Sequence, residues 1–233
     1  MVFVSKKKKN ILKNINKNSV YSFNDAYILL QMLPMAKFKN TFESVDIAIN
    51  LGVDIKKPEQ NVRSSVVLPN GLGKNIRVAV FSDSDKDNLL NCGADIVGVD
   101  VLFDNINNGN INFDVIISDP DSMKLISKLG PILGPRGLMP NPKDGTVAKD
   151  LVSCVKKIKL GQVMYKADKY GIIHTSVGKI NFEKDKIKGN IEALLNSIKK
   201  NKPASSKGIY IKKLSLSTTM GPGLFIDLSS FIY

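Results

Sequence analysis

The chain has 233 residues, of which 43% are hydrophobic and 24% charged, near the globular average; this excludes wholesale disorder and allows one or two domains with at least one substantial core. Its 34 Lys and Arg against 21 Asp and Glu leave a net charge of +13, which points to a polyanionic partner, either nucleic acid or an acidic membrane surface, unless compositional drift toward Lys, Asn and Ile explains it. Cys92 and Cys154 have no CxxC partner, so neither a disulfide framework nor a zinc site is suggested and a reduced cytosolic setting fits, and no apolar run reaches about 18 residues, which excludes a transmembrane helix.

From the N-terminus, lysines follow rather than precede a short apolar patch, which is not the order of a secretory signal. Lys6 to Lys17 reads as a short basic surface helix. Ser22 to Asp25 has the form of a capping box and starts a helix that Pro34 stops. After a loop at Lys37 to Asn40, Val45, Ile47, Ile49 and Leu51 alternate with polar or small residues, which predicts a strand with one buried face. Val62 to Leu68 reads as a second strand. Beyond Pro69-Asn70-Gly71 the rhythm becomes α/β, with strands at Ile76 to Phe81, Ile96 to Val99 and Val115 to Ser118, and helices near Ser84 to Asn91, Val101 to Asn107 and Ser122 to Lys128. Gly130 to Val147 holds four glycines and four prolines, so it is expected to be a fixed loop without regular helix or strand, anchored by Leu133, Leu138 and Met139. Lys149 to Lys159 follows as a helix.

The last third returns to antiparallel signals. Gln162 to Lys166 and Ile172 to Val177 flank a turn at Asp168 to Gly171 and predict a hairpin. An apolar stripe of Ile187, Ile191, Leu194, Leu195 and Ile198 predicts a helix over Asp185 to Lys200 packed on a sheet. Ile209, Ile211, Leu214 and Leu216 belong to a long strand leading into Ser217-Thr218-Thr219-Met220-Gly221. The apolar tail from Leu224 packs back onto the body. Charge divides along the same lines: residues 72–160 carry 11 basic and 11 acidic side chains, so the flanks hold the whole net charge.

Chemistry for catalysis is sparse. His174 is the one histidine, has no nucleophile or metal cluster implied beside it, and reads as a structural strand residue. Gly71-Leu72-Gly73-Lys74 and GPILGPRG both lack Walker and dinucleotide spacing. The hydroxyls, methionine and glycine of SLSTTMGPG suit contacts to phosphates, ribose hydroxyls and unstacked bases, and Lys212, Lys213, Lys166, Lys169 and Lys179 share its basic flank.

With these residues assembled, the chain resembles the bacterial form of the large-subunit ribosomal protein L1 family. The motifs GPRGLMPNPK, PEQNVRSS, NFDVIISDPD, DKYGIIHTSVGK, KGIYIKK and STTMG carry the resemblance and cover nearly the whole chain. It implies a fold of two domains: a discontinuous α+β RNA-binding domain at 1–71 and 161–233, and an inserted Rossmann-like, three-layer α/β domain at 72–160. It further implies binding to the ribosomal RNA stalk beside the tRNA exit site of the large subunit, help in releasing deacylated tRNA, and repression of the chain's own messenger RNA. The partners implied are stalk rRNA, exit-site tRNA, the mRNA leader and other ribosomal components, with no cofactor, metal, membrane or small-molecule substrate. Carried over by position, the RNA-binding residues are Lys37, Phe38, Ser44, Asp46, Lys166, His174, Lys179, Ser217, Thr218, Thr219, Met220 and Gly221, with Arg136 and Lys143 as secondary RNA or tRNA contacts. KFKNTFESVD is about three residues longer than the usual pattern, so Phe38 and Phe42 both fit the aromatic contact; Ser65 and Ala167 replace a usual glycine and asparagine. A cytoplasmic bacterial ribosome and an organellar one both fit. The alternatives are a nucleotide-dependent enzyme using the α/β middle domain and a DNA-binding accessory protein.

Overall fold

The computed structural model describes residues 15–16, 19–33, 42–82 and 86–231. The expected basic helix at Lys6 to Lys17, apart from Ile15 and Asn16, the stop at Pro34 and the loop holding Lys37 and Phe38 lie outside them. The chain divides into two compact units, residues 1–73 with 165–233 and residues 74–164. The first unit carries the whole net charge of +13 and the second carries none.

The first unit is built on strand β2 (Ser44–Leu51), whose exposure alternates residue by residue. Val45, Ile47, Ile49 and Leu51 are all at most 2% exposed. Burying four such side chains is worth about 1.5–3 kcal/mol each, so a one-residue slip that turned them to solvent is prohibitive. β2 pairs antiparallel on one side with β8 (Ile172–Lys179) and on the other with β9 (Ile211–Thr218). β10 (Leu224–Ile226) adds antiparallel to β9, and β1 (Val20–Tyr21) adds parallel to β10, completing a five-stranded sheet in the order β1-β10-β9-β2-β8. The apolar tail thus enters the sheet between β9 and the edge strand β1, and Phe231 closes over the same core.

Two helices cover the face of Val45, Ile47 and Ile49. Helix α1 (Phe23–Met32) starts where the Ser22 side chain accepts a hydrogen bond from the Asp25 amide at 3.2 Å, and it buries Phe23, Ala26, Tyr27 and Leu30. The long C-terminal helix (Lys184–Lys200) buries Ile187, Ile191, Leu194, Leu195 and Ile198 against the same sheet. Within it, fully buried Asn190 donates to the carbonyls of Val177 at 2.8 Å and Gly71 at 3.0 Å and accepts from the Asn70 amide at 3.0 Å. That one amide ties the turn at Asn70-Gly71 to strand β8.

The second unit contains a parallel sheet in the order β5-β4-β6, from β4 (Val78–Phe81), β5 (Ile96–Val97) and β6 (Val115–Ser118). Helices α2 (Lys86–Asn91) and α3 (Val99–Asn107) connect the strands, and α4 (Met123–Ile126) follows β6. Gly130 to Val147 departs from the expectation of a loop free of regular structure. Its first residues form a short helix α5 (Gly130–Leu133), because Pro131 sits in the first turn, where a missing amide hydrogen costs nothing. Pro142–Asp144 forms one 3₁₀ turn, closed by Gly145 at φ +73°. Asn141 and Thr146 fasten that turn: the Asn141 amide donates to Thr146 Oγ1 at 2.8 Å and the Lys143 amide to Asn141 Oδ1 at 2.9 Å. Leu133 is buried, with Leu138 and Met139 packed against the same core, and Val147 bridges in parallel to Ser118. Helix α6 (Leu151–Lys159) follows, capped by Asp150.

The expected hairpin between β7 (Gln162–Lys166) and β8 is not formed as a ladder. β7 pairs with β3 (Arg63–Val67) in a separate two-stranded sheet, and the two strands share one bridge, Ala167 to Ile173. The turn itself is real, with the Asp168 amide donating to the Ile172 carbonyl at 2.9 Å. β8 diverges because its partner on the inner side is the apolar strand β2. Ile209, expected in the last long strand, is 76% exposed outside it.

Polar burial in the first unit is unevenly satisfied, which makes a paired test. Tyr210 is 8% exposed, its hydroxyl has no hydrogen-bond partner among the described residues, and burial, with Tyr165 nearby, pushes its pKa up to about 12. Tyr210→Phe is expected to leave stability unchanged or raise it by up to about 1 kcal/mol, whereas Asn190→Ala should cost about 3 kcal/mol by orphaning three backbone groups. Chemical denaturation of the two variants checks this, and equal effects would contradict it.

Candidate nucleic-acid interface

At the Ser44 end of the sheet the edge is built by a bulge. Register steps from Val45 opposite Gly178 to Asp46 opposite Ser176, leaving Val177 as the extra residue. Gly178 has φ +152°, and a side chain there would lie 2.6 Å from Ile187 of the C-terminal helix, so glycine is required both by the backbone and by the helix packed beneath it. The bulge sets Lys179 opposite Ser44. Its ammonium donates to Ser44 Oγ at 3.0 Å and to the Phe42 carbonyl at 3.1 Å.

From the other side, β9 runs out beside the same residue. The Thr219 amide donates to the Ser44 carbonyl at 3.1 Å and the Ser44 amide to Thr219 Oγ1 at 3.2 Å. The chain then turns, with the Gly221 amide donating to the Thr218 carbonyl at 3.0 Å, and any side chain at Gly221 would collide with Thr218 Oγ1. Thr218 is buried as support, while Met220 at the tip is 66% exposed and Phe42 58% exposed. Ser44, Lys179, Thr218, Thr219, Met220 and Gly221 therefore form one edge with cationic, hydroxyl and apolar character together.

One step inward lies Asp46, opposite Ser217 on β9 and Ser176 on β8. Burial pushes its carboxyl above the ordinary value of 3.8, and the Ser176 hydroxyl and the charge of Lys179 only partly offset this. Ser176 and Ser215, which also lie on this face, were not singled out from sequence. Ser215 and Ser217 alternate with buried Leu214 and Leu216, a period-two signal that could have found them.

Other expected site residues lie elsewhere. His174 is on the same sheet face, opposite Ala48, but five residues from Lys179 along β8, about 15 Å away at strand rise. Its Nε2 is 3.6 Å from Asp168 Oδ2, and Asp168 is held below the ordinary carboxylate range first by the Ile172 amide and then by the Tyr170 amide, as well as by His174. Lys166 is exposed on β7, in the other sheet, so it does not join this face as the expected hairpin would have made it do. Arg136 and Lys143 are exposed in the second unit.

The Asp46 shift has a sign that can be tested. A carboxyl whose folded value is raised disfavours folding once ionised, so its stabilising neutral form is fully present below the unfolded value and is lost as pH rises through the folded one. Asp46→Asn is expected to raise the thermal midpoint at pH 7, the gain fading as pH falls below the ordinary aspartate value of 3.8. An equal gain at pH 3 and pH 7 would contradict this origin.

Residues 30–222 match the model of the Ribosomal protein L1p/L10e family. The chain is 54% identical over 231 residues to the large ribosomal subunit protein uL1 of Pseudomonas putida (strain F1), covering 99% of each. It is 51% identical over 228 residues to that of Hamiltonella defensa, covering 97% of each, and 50% identical over 231 residues to that of Pseudoalteromonas atlantica, covering 99% of this chain and 98% of the relative. A family model spanning most of the chain and relatives at this identity over nearly full length establish that the chain belongs to the ribosomal protein L1p/L10e family, a family of structural rather than catalytic proteins.

Proposed function

We propose that this protein binds the stalk of large-subunit ribosomal RNA through the Ser44–Lys179–Met220 edge of its basic unit. In the bacterial cytoplasm the bound stalk arm assists release of deacylated tRNA from the exit site, and the same edge, taking an mRNA leader that mimics the stalk, represses the protein's own translation. The observation that carries the reading is the convergence on one sheet end of an anchored lysine, serine and threonine hydroxyls and an exposed methionine, in the unit that holds the entire net charge.

The chemistry fits folded RNA better than a small substrate. Lys179 has two of its hydrogens committed to Ser44 and Phe42, so its charge is fixed in position and its remaining hydrogen can meet a phosphate. Met220 can pack on an unstacked base while the neighbouring hydroxyls meet ribose and base edges. Asp46, a carboxylate among phosphate-binding groups, suits base N–H donors instead. Lys166 and His174, off this edge, fit contacts to flanking RNA; Arg136 and Lys143 are offered by the neutral unit for RNA or tRNA. Lys37 and Phe38 complete the reading from outside the described residues, and exposed Phe42 is the other aromatic suited to that contact. Family membership gives no support to a nucleotide-dependent enzyme.

Binding of the full chain to a stalk RNA fragment should weaken with salt, log K falling by about 0.7–0.9 per phosphate contact against log salt. Met220→Ala should cost about 1–3 kcal/mol on the stalk fragment and leave binding to random RNA nearly unchanged. Equal losses on both RNAs would overturn the assignment of this edge.

A further inference from the structure

The helices leave one face of the five-stranded sheet partly exposed, and its rows can be read from the register. Val20, Phe225, Ser215, Ala48 and His174 stand opposite one another across all five strands. Ser217, Asp46 and Ser176 form the next row toward the Met220 end, and Lys213, Asn50 and Ile172 the next row away from it. Paired residues project from the same face, so Phe225 and His174 stand about 14 Å apart over a floor of serine and alanine. Phe225 is 39% exposed and its row neighbour Val20 65% exposed, so the two form a small apolar step on an otherwise polar face.

A second bulge bears on this corner. Register steps from Asn50 opposite Lys213 to Leu51 opposite Ile211, leaving Lys212 unpaired, so two successive lysines are exposed where a regular strand would hide one. Lys213 Nζ lies 5.8 Å from the centre of the Phe225 ring. The two lysines, Phe225 and Val20 line a groove of about 480 Å³. Asp227 also borders it and is kept ionised by the Ser229 hydroxyl at 2.5 Å and the Ser229 amide at 3.0 Å, but two ammonium groups against one carboxylate leave the groove net positive.

We propose that the Phe225–Lys213 corner is a stacking platform for a nucleotide of single-stranded RNA, separate from the Ser44–Lys179–Met220 edge; it rests on the RNA-binding reading above. A base takes the ring face as the Lys213 ammonium swings from the ring to join Lys212 on the phosphates, the pairing of aromatic ring with cationic groove that holds single strands without sequence preference. Phe225 and Val20 are the exposed apolar side chains of the groove, with Leu214 and Ile226 buried beneath, and flanked by two ammonium groups they offer less contiguous apolar area than a stable protein partner requires, whereas a nucleotide matches both parts. RNA bound at the Met220 edge can then continue as an unpaired strand across the serine-rich floor toward this corner.

The chain has no tryptophan, so Phe225→Trp provides a single tryptophan at the platform, excited selectively over the six tyrosines. In the full-length variant, a short oligoadenylate is expected to quench its emission at low salt, and added salt should reverse the quench. Phe225→Ala should weaken oligoadenylate binding, read by anisotropy, about tenfold while binding to a fully paired stalk fragment stays at the wild-type value. Lys213→Gln should weaken oligoadenylate binding and lower its salt slope. Unchanged emission at saturating oligoadenylate, or wild-type affinity in Phe225→Ala with an unaltered thermal midpoint, overturns the platform. Stalk binding is measured in parallel: its loss in the unsubstituted chain would overturn the proposed function, while a stalk complex that forms normally beside an unquenched fluorophore would overturn this inference alone.

Discussion

Strand β2 is hydrogen-bonded on both sides, and almost everything that matters in the basic unit follows from its register. Its four buried aliphatic residues fix which face meets the helices, and that choice fixes Ser44, Asp46, Ala48 and Asn50 on the other face. The same pairing brings together segments far apart in the chain: Lys179 from one side and Thr219 from the other meet at Ser44. No local interaction could assemble that edge. It exists because two strands from the C-terminal part of the chain accept β2 between them, which also explains how a unit interrupted by some ninety residues of a second unit remains one body.

Bulges then adjust what the regular pleat would give. Beside Asp46 the extra residue at Val177 lets Lys179 face Ser44, and the glycine that follows makes room for Ile187 of the C-terminal helix. Beside Asn50 the extra residue at Lys212 exposes two lysines in succession. Both bulges place cationic side chains at the ends of an open sheet face whose centre carries Asp46, Ala48, Ser176, Ser215 and Ser217. Electrostatics is therefore concentrated by backbone geometry, with few of these lysines in exposed ion pairs that would be worth under about 1 kcal/mol.

Local signals in the sequence were readable where they are local in physics. The Ser22 cap, the alternation from Val45 to Leu51, the stripe from Ile187 to Ile198 and the strand at Val115 to Ser118 all lie within a residue or two of where they were expected. Partner choice was not readable. Two adjacent strands around a tight turn imply a hairpin, yet β7 and β8 join different sheets because long-range burial against β2 outweighs the short loop. Gly130 to Leu133 is likewise hidden in the pattern, since a run rich in proline and glycine reads as loop although the first turn of a helix tolerates proline. At the candidate edge, residue types were legible from the STTMG and VGK motifs, but the Lys179 anchor to the Phe42 carbonyl and the separation of Lys166 depend on register, which single-strand patterns do not carry.

The central claim, that RNA binding centres on the Ser44–Lys179–Met220 edge of the basic unit, is tested most directly by hydroxyl-radical footprinting of the full chain with and without a stalk RNA fragment. The account predicts that Phe42, Met220 and the side chains around Ser44 and Lys179 lose reactivity in the complex, while exposed residues of the neutral unit such as Leu125 and Leu90 keep theirs. Protection confined to residues 74–164, with Met220 and Phe42 as reactive as in the free protein, would contradict it.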